Sequence, residues 1–365
     1  MKYTTENIHE TMEQLVATNE MAGAAMIVRK NGEEIFRGKW GLADIENQIP
    51  VEYNTIYRLA SMSKPITAVA AMQLWEKGKL SLTDPISKYL PSFEGKAAGT
   101  ATIQDILSHS SGLGMEEESC LFFDTHLDKN DRLADRVEKW KDMPLDFEPG
   151  TKTGYSGIVA FDILGRIVEV VSGQEYQEYL KENLWGPLGM DDVSFVLNEE
   201  QLSRLAKLYN TEDGKHIYLE TDGLWNAVSP LLAGYYSGAA GMFGTVEGYD
   251  RFVSMLANEG EWNGNRVLQK ETVQKMHQRG ARNILETCPG AYWGLGMQIF
   301  ADPAAMGVDV APDTYGWSGA YGTHMFIHAE SGISATFVMN RGNIGGASSY
   351  IARKVEELIF NTFLS

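Results

Sequence analysis

Residues 61–77 read SMSKPITAVAAMQLWEK, a stretch that is apolar nearly all round and stops at Gly78. Such a run predicts a buried helix, and Pro65 is tolerated in it because first-turn amides have no partner within a helix. The stretch opens with the tetrad Ser61-x-x-Lys64. Residues three apart on a helix share a face, so the Ser61 hydroxyl and the Lys64 amine can touch.

The tetrad has the composition of a nucleophile next to its base. The positive field at a helix N-terminus favours negative charge developing on Ser61. Burial among apolar residues favours the neutral amine that Lys64 needs in order to act as a base. Alone the tetrad is a weak signal, because a helix-capping serine followed by an unrelated surface lysine reads the same. The rest of the sequence has to show whether the tetrad is catalytic or structural.

Working outward, strand patterns stand at both ends of the chain and helix patterns between them. The predicted strands are 22–29, 34–41, 293–301, 324–329 and 334–340, with Lys30-Asn31-Gly32 as a hairpin turn. The predicted helices include 5–20, 158–173, 249–259 and 348–363. This order favours an α/β fold with one antiparallel sheet from both chain ends, flanked by the terminal helices. A mainly helical subdomain, 61–289, is inserted into 1–60 plus 290–365 within a single domain of residues 1–365.

Composition limits the class of protein. Of 365 residues, 44% are apolar and 22% are charged, which is typical of a globular chain. The net charge of −18 argues against nucleic acid or an anionic membrane as the main partner. The start of the chain lacks the apolar core of a secretory signal, and no stretch is long enough to span a membrane. With Cys120 and Cys288 interpreted as free thiols, we expect a cytoplasmic protein.

Two further segments carry residue types suited to catalysis. Tyr155 stands in the glycine-rich segment PGTKTGYSG, residues 149–157, just before a long helix. A phenol beside a lysine can exchange protons with a serine, although a packing tyrosine would look the same. The segment YGWSGAYGTH, residues 315–324, precedes a strand. Its small residues let a substrate approach the backbone, where a strand-edge N–H can complete an oxyanion hole.

Together, SMSK, PGT…YSG and GWSGAYGT resemble the serine β-lactamase and penicillin-binding-protein-like superfamily. Within it, the chain is most similar to class C β-lactamases, family VIII carboxylesterases and related D-aminopeptidases. The resemblance spans nearly the whole chain, including TIYRLASMSKPITA, WEKGKLSLTDPISKYLP, TIQDILSHSSGL, LWGPLGM and NGNRVLQKETVQKM. It implies a β-lactamase/transpeptidase-like fold.

The resemblance also implies roles for individual residues. Ser61 would be the acylated nucleophile, Lys64 its base or proton shuttle, and Tyr155 the residue that activates the serine and later the deacylating water. Which of Lys64 and Tyr155 takes the first proton stays open. The segment Trp317-Ser318-Gly319 stands where relatives carry the K-T-G strand box. The backbone N–H groups of Ser61 and Ala320 would form the oxyanion hole.

Two positions depart from the family pattern. Gly157 replaces the asparagine of the Y-x-N motif, so a side-chain amide near Lys64 is missing. Trp317 replaces the lysine of K-T-G, which gives a W-S-G box similar to the W-G-G of family VIII esterases. That lysine helps to hold the carboxylate of β-lactams and peptidoglycan stems. The loss of this lysine weakens the interpretations as a β-lactamase and as a peptidase of peptidoglycan stems. The sequence Lys-Thr-Gly at 152–154 does not replace the box, because it lies in a turn.

The sequence therefore favours a carboxylesterase that acts on small acyl esters through an acyl-enzyme, without metal or other cofactor. The alternative on the same site is a D-amino-acid peptidase, amidase or β-lactamase, and the alternative from another class is a catalytically silent binding protein. The expected partner is a small-molecule ester or amide, and the oligomeric state stays open. His109 is interpreted as a structural residue of the cleft wall, and His324 as either a substrate contact or a sheet residue.

Overall fold

The computed structural model describes residues 3–114, 128, 130–219, 234–281, 286–346 and 349–364, with the backbone alone for 286–288. Cys120 lies outside these residues, and the side chain of Cys288 is not among those described. The interpretation of both cysteines as free thiols therefore stays a prediction.

The main sheet of the described chain has nine strands, all paired antiparallel, in the order β10-β11-β12-β13-β14-β15-β1-β2-β3 once the strands are numbered along the chain. The strands are β1 (Gly23–Lys30), β2 (Glu33–Asp44), β3 (Ile49–Pro50), β4 (Tyr57–Arg58), β5 (Tyr209–Glu212), β6 (Lys215–Tyr218), β7 (Phe243–Gly244), β8 (Glu261–Trp262), β9 (Asn265–Arg266), β10 (Glu286–Cys288), β11 (Ala291–Trp293), β12 (Gln298–Phe300), β13 (Thr314–Ser318), β14 (His324–His328) and β15 (Ile333–Met339). Because β1 pairs with β15, the two ends of the chain meet in the middle of the sheet. The predicted sheet is confirmed.

Helices occupy the two chain ends and much of the region between them. They are α1 (Thr5–Ala17), α2 (Ser63–Glu76), α3 (Ile86–Tyr89), α4 (Ile103–Leu107), α5 (Leu133–Lys139), α6 (Val159–Ser172), α7 (Tyr176–Leu180), α8 (Gly186–Leu188), α9 (Glu199–Ser203), α10 (Val246–Ala257), α11 (Lys270–Met276), α12 (Pro303–Met306) and α13 (Tyr350–Phe363). Short 3-10 turns cover Ala60–Met62, Pro91–Phe93, Ala98–Thr100 and Trp140–Asp142, and a π turn covers Lys181–Trp185. No helix of the described residues is long and apolar enough to cross a membrane.

The local turn chemistry explains one correct strand prediction and one wrong one. Asn31 and Gly32 both have positive φ, 53° and 81°, as the predicted tight hairpin between β1 and β2 requires. The single strand predicted over 293–301 is wrong, since β11 and β12 form a hairpin there. Its turn is closed by a 2.8 Å hydrogen bond from the Gly294 N–H to the Met297 carbonyl, and Gly296 has a φ of 91°. Glycine adopts that conformation without a steric cost.

The two faces of the sheet pack against different helices because successive side chains of a strand point to opposite sides. On β14, Phe326 faces the terminal helices and lies 5.5 Å from the ring of Phe360 on α13. Met325 and Ile327, on the other face, belong to the core that contains α2. The terminal helices and the inserted helical region thus cover opposite faces.

Helix α2 lies within the larger core, with every residue from Ser63 to Leu74 buried. Its all-round apolar sequence matches this position, since each large apolar side chain contributes about 1.5–3 kcal/mol when fully buried. The helix begins at Ser63 rather than Ser61, because Ala60–Met62 form a 3-10 turn. Ser61 therefore lies just before the helix, at its N-terminus.

In the part of the chain that the structure describes, three two-stranded ladders lie outside the main sheet, β4 with β7, β5 with β6 and β8 with β9. The sequence did not predict them, because strands of two to four residues show little periodicity. All six strands of these ladders lie in the part of the chain between β3 and β10. The division into subdomains 1–60 plus 290–365 and 61–289 stays a prediction.

A buried ion pair ties α10 to the sheet. Asp250 is buried and accepts a 2.7 Å hydrogen bond from Nε of Arg29 on β1. Burial raises the pKa of Asp250 to about 6, although the charge of Arg29 acts in the opposite direction. The free-energy cost of desolvating the carboxylate therefore exceeds the stabilisation that Arg29 provides.

Replacing Asp250 with Asn is expected to change the pH dependence of stability. Because the folded-state pKa lies above the unfolded one, the stability contributed by Asp250 is present at low pH and is lost as pH rises through about 6. The free energy of unfolding of Asp250→Asn minus that of the wild type should therefore be about 2 kcal/mol more favourable to the variant at pH 7.5 than at pH 4.5. Urea unfolding at both pH values measures the gain. Asp191→Asn, at an exposed position, is the control, and an equal difference at both pH values for Asp250→Asn would contradict the burial argument.

Candidate active site

Ser61 stands in the 3-10 turn between β4 and α2. Ala60, immediately before it, has a φ of 47°, a left-handed conformation that costs a non-glycine residue about 1–2 kcal/mol. Neighbouring hydrogen bonds hold this turn, with the Leu59 N–H donating to the Met242 carbonyl at 2.9 Å and the Tyr249 hydroxyl to the Met62 carbonyl at 2.8 Å. Ser61 is thereby fixed one helical turn before Lys64.

Lys64 is fully buried, and among the described residues its amine contacts three oxygen atoms. Nζ lies 2.6 Å from the Gly157 carbonyl, 3.1 Å from the Ala239 carbonyl and 3.2 Å from Oγ of Ser61. Carbonyl oxygens only accept hydrogen bonds, so two amine hydrogens are committed to them. The remaining position of Nζ, either a proton or a lone pair, points at Ser61.

Tyr155 approaches the same serine oxygen from a different direction. Its hydroxyl lies 2.6 Å from Oγ of Ser61, and its ring centroid lies 4.9 Å from Nζ of Lys64. The side chain is 37% exposed, so the phenol is accessible from solvent. Ser61, Lys64 and Tyr155 thus share one hydrogen-bond network through which a proton can move.

The Ala239 carbonyl is held in place by a buried carboxylate. Asp162 on α6 accepts hydrogen bonds from the Tyr235 hydroxyl at 2.6 Å, the Ser237 hydroxyl at 2.6 Å and the Ala239 N–H at 3.0 Å. Burial raises the pKa of Asp162, and these three hydrogen bonds oppose that shift. The network fixes the segment that presents its carbonyl to Lys64.

Trp317 lies in a cluster of aromatic rings beside Tyr155. The Trp317 ring is 5.1 Å from that of Tyr155 and 4.6 Å from that of Trp293. Trp317 is 9% exposed, and its side chain lies on the α2 side of the sheet. Position 317, which the resemblance matches to the lysine of the K-T-G box, is therefore occupied by a mostly buried indole next to the phenol.

The turn between β13 and β14 packs against the chain just before Ser61. The Thr323 hydroxyl donates to the Leu59 carbonyl at 3.0 Å, and the Gly319 N–H donates to the Thr323 carbonyl at 2.7 Å. A Cβ at Gly319 would stand 2.3 Å from the same Leu59 oxygen, so only glycine fits there. Ala320, at the exposed tip, donates its N–H to none of the residues that the structure describes.

His324 and the Ser318 side chain lie on the sheet face opposite to Trp317. Nδ1 of His324 is 2.6 Å from Oγ of Ser318, and Nε2 is 3.0 Å from a carboxylate oxygen of Glu356 on α13. His324 is only 2% exposed. The structure does not bring these two side chains together with Ser61, and His324 corresponds to the sheet residue of the two alternatives.

The sequence did not identify the two carbonyls that hold Lys64. The sequence marks Gly157 only by the missing asparagine, whereas the backbone oxygen of Gly157 makes the shortest of the three contacts to the amine. A Cβ at Gly157 would meet no atom of the described residues within 4 Å, so none of these residues fills the space of a longer side chain. Backbone contacts of this kind leave no mark in residue type, apart from the small residues around Ala239.

Comparison with known proteins defines the class. A family model described as Beta-lactamase matches residues 8–357. Esterase EstB of Burkholderia gladioli is 31% identical over 355 residues, covering 90% of this chain and 88% of that protein. The solved structure of EstCE1, a hydrolase with promiscuous acyltransferase activity, matches with a TM-score of 0.85 at 24% identity and 98% coverage of both chains. A class C beta-lactamase matches at 0.75 and 20%, covering 98% of this chain and 95% of that one.

The chain belongs to the beta-lactamase family, and it is a serine hydrolase with the β-lactamase/transpeptidase-like fold. The predicted family and fold are confirmed.

Replacing Thr323 tests whether the β13–β14 turn must be held against the Ser61 segment. Thr323→Val removes the hydroxyl from this buried position while keeping the shape of the side chain. The loss of one neutral hydrogen bond, about 1 kcal/mol, should lower kcat for a p-nitrophenyl ester about 3- to 10-fold. Steady-state kinetics with Thr323→Ser, which keeps the hydroxyl, provide the matched control. Equal rates for the Val and Ser variants would show that the hydrogen bond to Leu59 does not matter.

Proposed function

We propose that the protein is a carboxylesterase for small neutral acyl esters and that Ser61 is its nucleophile. The observation that carries this proposal is the position of the Ser61 oxygen, 2.6 Å from the Tyr155 hydroxyl and 3.2 Å from the Lys64 amine. A serine oxygen between two groups that can take its proton is an activated nucleophile.

In the first half of the proposed reaction, Oγ of Ser61 forms a bond to the acyl carbon while its proton passes to the Lys64 and Tyr155 pair. The substrate carbonyl oxygen becomes an oxyanion, which the N–H groups of Ser61 and Ala320 stabilise. When the tetrahedral intermediate collapses, the bond to the alcohol oxygen breaks and the alcohol leaves with the proton. The acyl group remains on Ser61.

In the second half, water attacks the acyl carbon and loses a proton to the same pair. The new tetrahedral intermediate expels Oγ of Ser61, which takes the proton back, and the carboxylic acid leaves. Lys64 and Tyr155 thus serve both halves, because the reaction returns the proton that it removed. The proton-transfer roles rest on Ser61, Lys64 and Tyr155, which share one hydrogen-bond network.

The preference for neutral esters rests on two positions next to this network. Trp317 offers an apolar ring at the position that corresponds to the lysine of the K-T-G box, so it cannot form an ion pair with a substrate carboxylate. At Gly157, none of the residues that the structure describes fills the space of an asparagine side chain. Esters also expel their leaving group more easily than amides do. The similarity to esterase EstB supports the same choice.

A hydrolysis panel tests this proposal. The wild type should hydrolyse p-nitrophenyl acetate and butyrate with a much higher kcat/KM than nitrocefin or D-alanyl peptides, and Ser61→Ala should abolish all turnover. Trp317→Lys should reduce the ratio of these kcat/KM values by up to about 10- to 150-fold, mainly by raising kcat/KM for the anionic substrates. The reason is that a charge-assisted hydrogen bond contributes about 1.5–3 kcal/mol.

Trp317→Met is the matched control, since methionine has a similar length to lysine and no charge. It should leave the ratio of ester to β-lactam hydrolysis close to that of the wild type. Faster hydrolysis of nitrocefin or of a D-alanyl peptide than of the p-nitrophenyl esters by the wild type would refute the esterase proposal.

A further inference from the structure

His109 contacts the chain on both sides of Tyr155. Its backbone carbonyl accepts a 2.8 Å hydrogen bond from the Gly154 N–H, and its Nδ1 accepts a 3.3 Å hydrogen bond from the Ser156 N–H. These donors are the residues immediately before and after the tyrosine. Residues 153–156 have no helical or strand structure of their own, so such contacts define their path.

The imidazole of His109 also contacts aromatic rings around the site. Its centroid lies 4.8 Å from that of Tyr155, 4.1 Å from that of Trp293 and 5.1 Å from that of Phe161. His109 is only 1% exposed, whereas Tyr155 is 37% exposed. The mostly buried rings thus form a fixed surface behind a phenol that is open to solvent on its other side.

The backbone of His109 has an uncommon conformation. Its φ is 49°, in the left-handed region, where a non-glycine residue is strained by about 1–2 kcal/mol. This conformation lies two residues after the end of α4 and allows both the carbonyl and Nδ1 of one residue to face the 154–156 segment. Strain of this kind persists where surrounding contacts enforce it.

The charge state of His109 argues against a role in proton transfer. Burial lowers the pKa of His109 well below its usual value, and the nearby charge of Lys64 lowers it further. The ring is therefore neutral at ordinary pH. Because Nδ1 accepts from the Ser156 N–H, the ring proton is on Nε2. His109 does not compete with Lys64 or Tyr155 for the Ser61 proton.

We propose that His109 is the positioning residue of Tyr155, which sets the phenol oxygen against Ser61 by holding the backbone on both sides of the tyrosine. The inference rests on the proposed function, because it assigns His109 a task in that reaction. A displacement of about 1 Å in a reacting group can cost about 100-fold in rate. Release of this loop should therefore be visible in the kinetics.

Two substitutions separate the hydrogen bond from the bulk of the side chain. His109→Asn keeps an acceptor at the place of Nδ1, and asparagine tolerates the left-handed conformation better than most residues. His109→Leu has a similar volume but no acceptor. We expect kcat/KM for p-nitrophenyl acetate to fall about 10- to 100-fold in the Leu variant and less than about 5-fold in the Asn variant.

A double-mutant cycle distinguishes positioning from general stabilisation. If His109 acts through Tyr155, adding His109→Leu to the Tyr155→Phe variant should lower kcat/KM by less than about 3-fold. The effects of substituting residues that act as a unit are not additive. Equal losses in both backgrounds, or no loss in the wild-type background, would overturn the role of His109 alone. Full activity of Tyr155→Phe would overturn the proposed function and this inference with it. Should the Leu variant not fold, His109→Gln, which also lacks an acceptor at the place of Nδ1, replaces it in the same cycle with the same expectation.

Discussion

The Lys64 amine is buried against two backbone carbonyls, those of Gly157 and Ala239, and its third hydrogen-bonding position faces Oγ of Ser61. Leaving a buried polar group without partners costs about 1–3 kcal/mol or more, so these contacts constrain the fold as well as the chemistry. Both carbonyls come from segments far from Lys64 in the chain. The helical region and the nucleophile turn must therefore assemble together for the amine to be satisfied.

Separate structural supports hold the groups that meet at Ser61. Asp162 fixes the segment that carries the Ala239 carbonyl, and Thr323 holds the β13–β14 turn against the carbonyl of Leu59. His109 contacts the chain on both sides of Tyr155. Each support is buried and acts through backbone groups, so the reacting atoms are positioned by the rigid interior while Tyr155 stays open to substrate.

Much of this architecture was accessible from residue patterns. The all-round apolar sequence after Ser61 predicted a buried helix, and the strand patterns at both chain ends predicted their shared sheet. The family motifs placed Ser61, Lys64 and Tyr155 together, and the structure has them within hydrogen-bonding distance. What sequence could not supply depends on backbone geometry: the carbonyl of Gly157, the hairpin within 293–301, and the side of the sheet on which His324 lies. Strand alternation decides the last of these only once the register is known.

Locating the covalent adduct tests the central claim, that Ser61 carries the acyl group, most directly. After labelling with a fluorophosphonate, peptide mapping by mass spectrometry should find one modified residue, Ser61, and Ser63→Ala should label as the wild type does. Ser63 is the appropriate neighbour because its hydroxyl accepts from the Met242 N–H and is buried in α2. An adduct that persists in Ser61→Ala, or that maps to Ser63 or Ser318 in the wild type, would contradict the account.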